Sequence, residues 1–407
     1  MKKKITEPLH GINVFDLTRV LAGPTSTQIL GDLGANIIKV ERPNSGDDSR
    51  NLGPPYLDSS SESPQESSYF LSVNRNKNSV TIDLTKEEGQ KLAKKIIKKC
   101  DVLVENFRAG NLKQYGLDYK SIKKINPKII YCSITGFGQT GPYSKRGGYD
   151  YLVQAMGGIM SITGERKGQP TKIGVGVSDI ITGLYACISI LSALKFRDIT
   201  SKGQHIDISL MDSQVSWLSY VAQGYLTSGI TPKRIGNDHP SIVPYQTVKA
   251  KNGLMVLAIA NDRQFKNFCK FSKLDDLYNN PKYKNNSLRV KNRKSLNKII
   301  NKIIKQKNIK YWVDGLTNVN VPCGPINDIS QVFDDPQVKS RKMKIKMKHK
   351  KSKQLIDLIA NPIKFSVSNI KYKKAPPVLG EDTELFLKKF LKISAEGLKK
   401  LKLKKII

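Results

Sequence analysis

From its N-terminal end the chain alternates short apolar runs with segments whose apolar residues recur at helical spacing. GINVFDL reads as a strand, PTSTQILGDLG as a helix closed by Gly34, and NIIKVER as the next strand. SVTIDL, DVLVENF and KIIYCSITGFG follow as strands, with KEEGQKLAKKIIKKC as an amphipathic helix and NLKQYG as a short helical piece among them. Apolar strands separated by helices predict a parallel sheet covered on both faces. Ligands of such doubly wound sheets bind at the carboxyl ends of the strands. The loops after VFDL, KVER and VENF are therefore expected to gather around a site.

Farther on, DIITGLYACISILSALKF, from Asp179 to Phe196, is apolar nearly all round and predicts a buried helix. Gly183 and Ala186 would let a neighbouring element approach it closely. The texture changes after QHIDISLMDSQVSWLSYVAQGYL: GLMVLAIA reads as a strand, and lysine-rich helices follow from Asp262 to about Val313. These shifts place a smaller α+β domain at 228–325 and a larger domain built from 1–227 and 326–407. Residues 51–68, rich in Ser, Pro and Gly, read as a loop, and KSRKMKIKMKHKKSK reads as a solvated charge run.

Composition narrows the function classes. A chain of 407 residues can bury two cores, and its formal charge is +35. The excess is mostly lysine and scattered, in company with Ile and Asn, as in KYKNNSLRVKNRKSLNKIINKIIK. Nucleic-acid surfaces favour the arginine fork and interleaved aromatics, so no nucleic-acid partner is expected, and a non-catalytic basic binding protein is the alternative that the charge supports. A basic surface would still concentrate a polyanionic substrate. No run reaches the ~20 apolar residues of a membrane span, and the basic start lacks the apolar core of a signal peptide. Five dispersed cysteines without a CxxC pair give no disulfide framework or zinc site, and a reducing cytoplasm is expected.

Candidate chemistry is sparse. Where a dinucleotide fold would carry GxGxxG, the first strand–loop–helix has only Gly23 followed by Pro24, which argues against an NAD site. Glu41 and Arg42, ending the second strand, either hold a ribose or phosphate or form a surface pair. In GVGVSDIITGLYA, Ser178 or Asp179 can serve as the helix N-cap. Alternatively, Asp179 is an ionised nucleophile that attacks a thioester carbonyl, with backbone N–H groups holding the oxyanion; both roles can coexist. GxSxG, HExxH and Walker loops are absent, and His10, His205, His239 and His349 belong to no catalytic motif, so structural roles are expected for them.

Taken together, the motifs resemble the family III CoA-transferases of CaiB/BaiF type. The matching stretches are LTRVLAGPTSTQILGDLGANIIKVERPNSGDD, YFLSVNRNKNSVTIDL, DVLVENFRAGNLKQYGLDY, IIYCSITGFGQTGPYSKRGGYD, VSDIITGLYA, RIGNDHPSIVPYQ, VPCGPINDI and PPVLGEDT, in order along nearly the whole chain. YLSVNRNK-like, GPPY and HPSIVPYQ segments look most like the succinyl-CoA-dependent branch acting on hydroxymethylglutarate or glutarate. The resemblance implies a Rossmann-like large domain, a smaller mid-sequence domain, and a homodimer of interlocked rings. It implies a catalytic aspartate at Asp179 that passes through an acyl anhydride and an aspartyl-CoA thioester, with acyl-CoA as substrate and neither metal nor permanent cofactor.

Coenzyme A contacts carry over to Val20, Leu21, Arg42, Ile82, Asn106, Phe107 and Tyr115, and to Gln114, where formyl-CoA members have an arginine. Tyr149 and Asp150 match a Tyr–acid pair beside the nucleophile. The related α-methylacyl-CoA racemases use a His–Asp pair there. A tyrosine of pKa ~10 is a poor base at neutral pH, so the racemase reading is disfavoured. A dicarboxylate needs a cation for its distal carboxylate, and Arg19, Arg50 and Arg75 are the candidates.

Overall fold

A computed structural model describes residues 6–57, 66–352 and 354–407; the first five residues and the middle of the 51–68 loop lie outside the described residues. Six strands form one parallel sheet: β1 (Asn13–Asp16), β2 (Asn36–Glu41), β3 (Lys77–Thr81), β4 (Val102–Glu105), β5 (Ile130–Thr135) and β6 (Gln204–Ser209). Their order is β3-β2-β1-β4-β5-β6. The order reverses between β1 and β4, so the crevice of a doubly wound sheet opens beyond Asp16 and Glu105.

Because side chains alternate across a strand, each one feeds two cores. Phe15, Ile38, Val80, Leu103 and Tyr131 point to one face, which the C-terminal segment closes with Leu387, Leu398 and Ile406. Val14, Ile37, Val102, Val104, Ile130, Cys132 and Ile134 point to the other. That face is covered by α1 (Ala22–Asp32) and α3 (Val177–Thr200), with α2 (Asp150–Met156) and α4 (Leu210–Trp217) packed on α3. β3 begins at Lys77 rather than at the SVTIDL run, because its backbone pairs with β2 from Ile37 onward; the Lys77 ammonium is buried 3.3 Å from the Asp16 carboxylate.

The long helix departs from expectation in two ways. Ala186, Ile190, Ala193 and Leu194 are buried, but Leu184, Tyr185, Ile188, Phe196 and Ile199 form an exposed apolar face, with Ile199 73% exposed. Helix α3 also has the length and mean hydropathy (1.7) of a membrane span, contrary to the reading that no segment does; half of that stretch is buried within the fold.

The chain divides into two compact units, one of residues 1–159, 173–228 and 337–407, the other of 160–172 and 229–336. The second unit thus takes in a segment before α3 and runs past residue 325. It holds an antiparallel sheet of β7 (Tyr245–Ala250), β8 (Gly253–Ala258) and β9 (Cys323–Pro325). Helices of residues 262–318 close its core through Phe265, Phe268, Leu296, Ile300, Ile304, Trp312 and Leu316.

The lysine-rich run is more than a solvated face. Lys344–Lys348 and Leu355–Ile359 pair as the antiparallel hairpin β10–β11, with Met347, Ile356 and Leu358 buried. The K-I-K-M-K alternation is a half-buried strand, which the charge density hides.

Candidate active site

The site begins at the end of β1, where the chain turns through Leu17–Leu21 into α1. A buried set of charges holds this turn. Lys39 donates to Asp47 at 2.7 Å and to the Thr18 carbonyl at 2.9 Å, while Asp47 accepts the Val20 N–H at 3.1 Å. Burial opposes ionisation of Asp16, yet Lys77 and Lys39 keep its carboxyl below the usual range. Burial also draws Lys77 down to about 8, against the pull of Asp16. So clamped, Val20 sits at φ 70°, a left-handed backbone that a β-branched residue rarely adopts. Opposite it, the Asn106 side chain accepts the Arg19 N–H at 2.9 Å and donates to the Arg19 carbonyl at 2.7 Å, stitching the β1 and β4 loops together.

Asp179 lies in the first turn of α3. The N-cap is Gly176, so neither Ser178 nor Asp179 caps the helix through its side chain. Asp150 does part of that work instead: it accepts the Ser178 N–H at 2.8 Å and the Gln154 side-chain amide at 2.7 Å. Burial, and next the neighbouring Asp150 carboxylate, push Asp179 up to about 7, although the helix terminus favours its charged form. The expectation of a fully ionised carboxylate is therefore corrected: it titrates near neutrality. Tyr69, from the helix Ser68–Val73, is driven to about 12 by burial and then by Asp179, Asp150 and Asp47. Sequence reading passed over Tyr69, which stands within the electrostatic reach of Asp179 but 110 positions before it in the chain.

Two cavities meet here. One of about 180 Å³ is lined by Asp179, Arg19, Val20, Leu21, Asn106, Phe107 and Tyr149, and also by Arg108, Arg146 and the Gly147–Gly148 pair. A Cβ on Gly148 would lie 2.5 Å from the Gly136 Cα, so only glycine lets this loop close on the end of β5. The other cavity, of about 600 Å³, is lined by Arg42, Ile82 and Tyr115, with Arg19 and Phe107 common to both. Arg42 is exposed and ion-paired with Asp48, while Glu41 is buried and binds Arg50, so Glu41 and Arg42 form no surface pair. Gln114 donates to the Asn111 carbonyl at 3.1 Å and lines neither cavity. Beneath Phe107, burial pushes Glu105 up to about 7 even though it accepts the Phe107 N–H at 2.8 Å.

The arginines sort by burial. Arg50 is fully buried, bonds Glu41 at 2.8 Å through Nε and through Nη2, and stacks on Phe70 with its guanidinium 3.7 Å from the ring centroid. Arg75 is buried against Asp32 and donates to the Ile359 carbonyl. Both are committed to the fold, which corrects their assignment as substrate cations. Arg19 stays in the cavity, joined by Arg108 and Arg146, which sequence reasoning missed although both lie in stretches that carry the family resemblance, next to Phe107 and just before Tyr149.

Among the described residues, His205 bonds Ser133, His239 meets the Tyr245 ring edge-on, and His349 is buried. The five cysteines are free, and no group of described His, Cys, Asp and Glu residues could hold a metal ion. The arrangement offers a carboxylate poised near neutrality, in a cavity rich in arginine, beside a larger groove at the sheet's switch point. Such a carboxylate can attack an electrophilic carbonyl.

Comparison with known proteins agrees. The sequence model of CoA-transferase family III matches residues 9–383. A human protein named succinyl-CoA:glutarate CoA-transferase is 44% identical over 95% of this chain and 86% of its own. A succinate–glutarate CoA-transferase of Agrobacterium fabrum is 42% identical over 92% of this chain and 93% of its own. The crystal structure of a CaiB/BaiF family protein from Brucella suis superposes with a TM-score of 0.84 at 44% identity, covering 95% of this chain and all of that one. The chain belongs to CoA-transferase family III.

Proposed function

We propose that this enzyme moves coenzyme A from succinyl-CoA to glutarate or a related dicarboxylate, with Asp179 as the covalent nucleophile. The observation that carries the reading is the position of Asp179: it lines a cavity that shares Arg19 and Phe107 with the groove at the β1–β4 switch point. Relatives named for succinyl-CoA and glutarate support the substrates. The cluster of Arg19, Arg108 and Arg146 suits substrates that carry a second carboxylate.

In the first step an Asp179 oxygen attacks the thioester carbonyl carbon. The C–S bond breaks, CoA thiolate departs, and a mixed anhydride forms. Thiolate then attacks the Asp179 carbonyl, which releases the donor acid and leaves an aspartyl-CoA thioester. The acceptor carboxylate attacks that thioester and expels the thiolate again. Thiolate finally attacks the acceptor's carbonyl, making the new acyl-CoA and restoring Asp179. One thioester is consumed and one is made, so the exchange needs no external energy source. In this reading Val20, Leu21, Asn106 and Phe107 line the pantetheine path, and Arg42, Ile82 and Tyr115 the nucleotide end.

The exposed apolar face of α3, continued by Val215 and Trp217 on α4, supports a homodimer, the interlocked ring of this family. Acceptor acids incubated with succinyl-CoA and read by mass spectrometry test the substrates; failure of every dicarboxylate removes that assignment. Hydroxylamine added during turnover should convert Asp179 to the hydroxamate, and Asp179→Ala should abolish exchange. An Asp179→Ala enzyme exchanging at the normal rate ends the proposal.

A further inference from the structure

The 600 Å³ groove has a wall that the family motifs do not include. Its far side is formed by the C-terminal tail through Lys402, Lys405 and Ile407, facing Asp83–Lys86 from the loop after β3. The tail is fixed there. The Asp83 N–H donates to the Ile406 carbonyl at 2.8 Å, and Lys86 Nζ donates to the carbonyls of Lys404 and Lys405 at 2.8 and 3.0 Å. The Ile406 side chain is fully buried in the sheet's core. The groove floor at Ile82, Phe107 and Tyr115 is apolar and aromatic, which suits a flat base, whereas its rim is cationic.

The charges on that rim are not equally committed. Of the acidic residues lining the groove, Glu41 is buried on Arg50, Asp47 on Lys39, and Asp83 bonds Thr85. Lys402 pairs with Glu384 at the surface, and Arg42 pairs with Asp48. Lys405 is exposed, and no ion pair to its ammonium is formed among the described residues. Its backbone is left-handed at φ 52°, a conformation glycine would adopt at lower cost.

We propose that Lys405, with Lys86 and Lys402 beside it, is the seat of the ribose 3′-phosphate of the acyl-CoA substrate. The inference rests on the reading that CoA occupies this groove. A doubly charged phosphate at the rim would meet the uncommitted ammonium of Lys405 and that of Lys402, which can turn from Glu384 toward it, while Lys86 stays on the tail carbonyls and adds only its charge; the adenine lies on the apolar floor. The phosphate marks the ligand as CoA and sits far from the reacting carbonyl, so it should act on affinity and leave the chemical step alone.

The test compares succinyl-CoA with succinyl-dephospho-CoA in the wild type, in Lys405→Gly and in Tyr115→Ala. Lys405→Gly removes the charge and relieves the left-handed strain, so its melting temperature should hold or rise. The wild type should prefer the 3′-phosphorylated donor by about tenfold in KM, the worth of one charge-assisted contact. Lys405→Gly should bring that ratio close to one with kcat unchanged. A ratio unchanged in Lys405→Gly, or a wild type indifferent to the 3′-phosphate, overturns the proposal. Tyr115→Ala removes a half-buried ring from the floor and reports on the underlying reading. If it leaves the KM of both donors untouched, CoA does not use this groove; if it raises both while Lys405→Gly alters nothing, only the lysine assignment fails.

Discussion

The ionisation of Asp179 governs both chemistry and stability. Only the carboxylate attacks, and burial with Asp150 places its pKa at about 7. The turnover rate should therefore fall tenfold per pH unit below neutrality and level off above pH 8. Glu105 is pushed to a similar value, so it must be separated from Asp179. Glu105→Gln keeps an acceptor for the Phe107 N–H and should leave the midpoint of the pH–rate profile in place; a shifted midpoint would assign the titration to Glu105. Stability runs the other way. A carboxyl raised in the fold from an unfolded value of about 3.9 costs stability that grows between pH 4 and 7 and is constant above. Thermal melts of Asp179→Asn should accordingly match the wild type near pH 4 and exceed it at pH 8. Equal melting temperatures at both pH values would show that the carboxyl is not desolvated.

At the scale of elements, the site depends on how closely α3 lies against α1. A Cβ built on Gly183 would stand 2.6 Å from the Ala22 carbonyl oxygen and 2.9 Å from the Thr25 Cβ. Alanine at this position gains about 1 kcal/mol of helix propensity. Forcing atoms into a close-packed contact costs roughly 1–3 kcal/mol, and here the neighbour is backbone, which cannot rotate away. The clash decides the sign. Gly183→Ala should lower the melting temperature, and Gly183→Val more so, with loss of activity because the α1 start carries Leu21 and Ala22 in the cavity. A stabilised Gly183→Ala would mean that the two helices do not touch at that point.

At the scale of the whole molecule, the apolar face of α3 is the feature a single chain leaves unexplained. Tyr185, Ile188 and Ile199 would remain in water unless covered. In the proposed homodimer this face is covered, so Ile188→Lys should shift the mass measured by light scattering from two chains toward one. A wild type that is monomeric at micromolar concentration would dispose of the dimer.

Some of this was settled by the chain alone. Strand–helix alternation is a local property, because each apolar run must be buried. The parallel sheet, the gathering of the loops after VFDL, KVER and VENF at its carboxyl edge, and the small residues of α3 were thus readable from spacing, whereas the switch point between β1 and β4 came with the strand order. Asp179, Val20, Asn106 and Phe107 were singled out by the resemblance of their segments to the family's motifs, not by spacing. Other outcomes depended on what lay across the fold. Arg50 and Arg75 looked like free cations until their carboxylates, from distant strands and helices, were brought against them. Gln114 turned back on its own loop, and the lysine run closed into a hairpin. Arg108, Arg146 and Lys405 joined the cavities, and Tyr69 came within the electrostatic reach of Asp179, though nothing local in the sequence marks these four for the site. A sequence records which residues need burial or a partner; which partner each finds, and how that sets the charge of a single carboxyl, is a matter of distance, and distance exists only once the chain has folded.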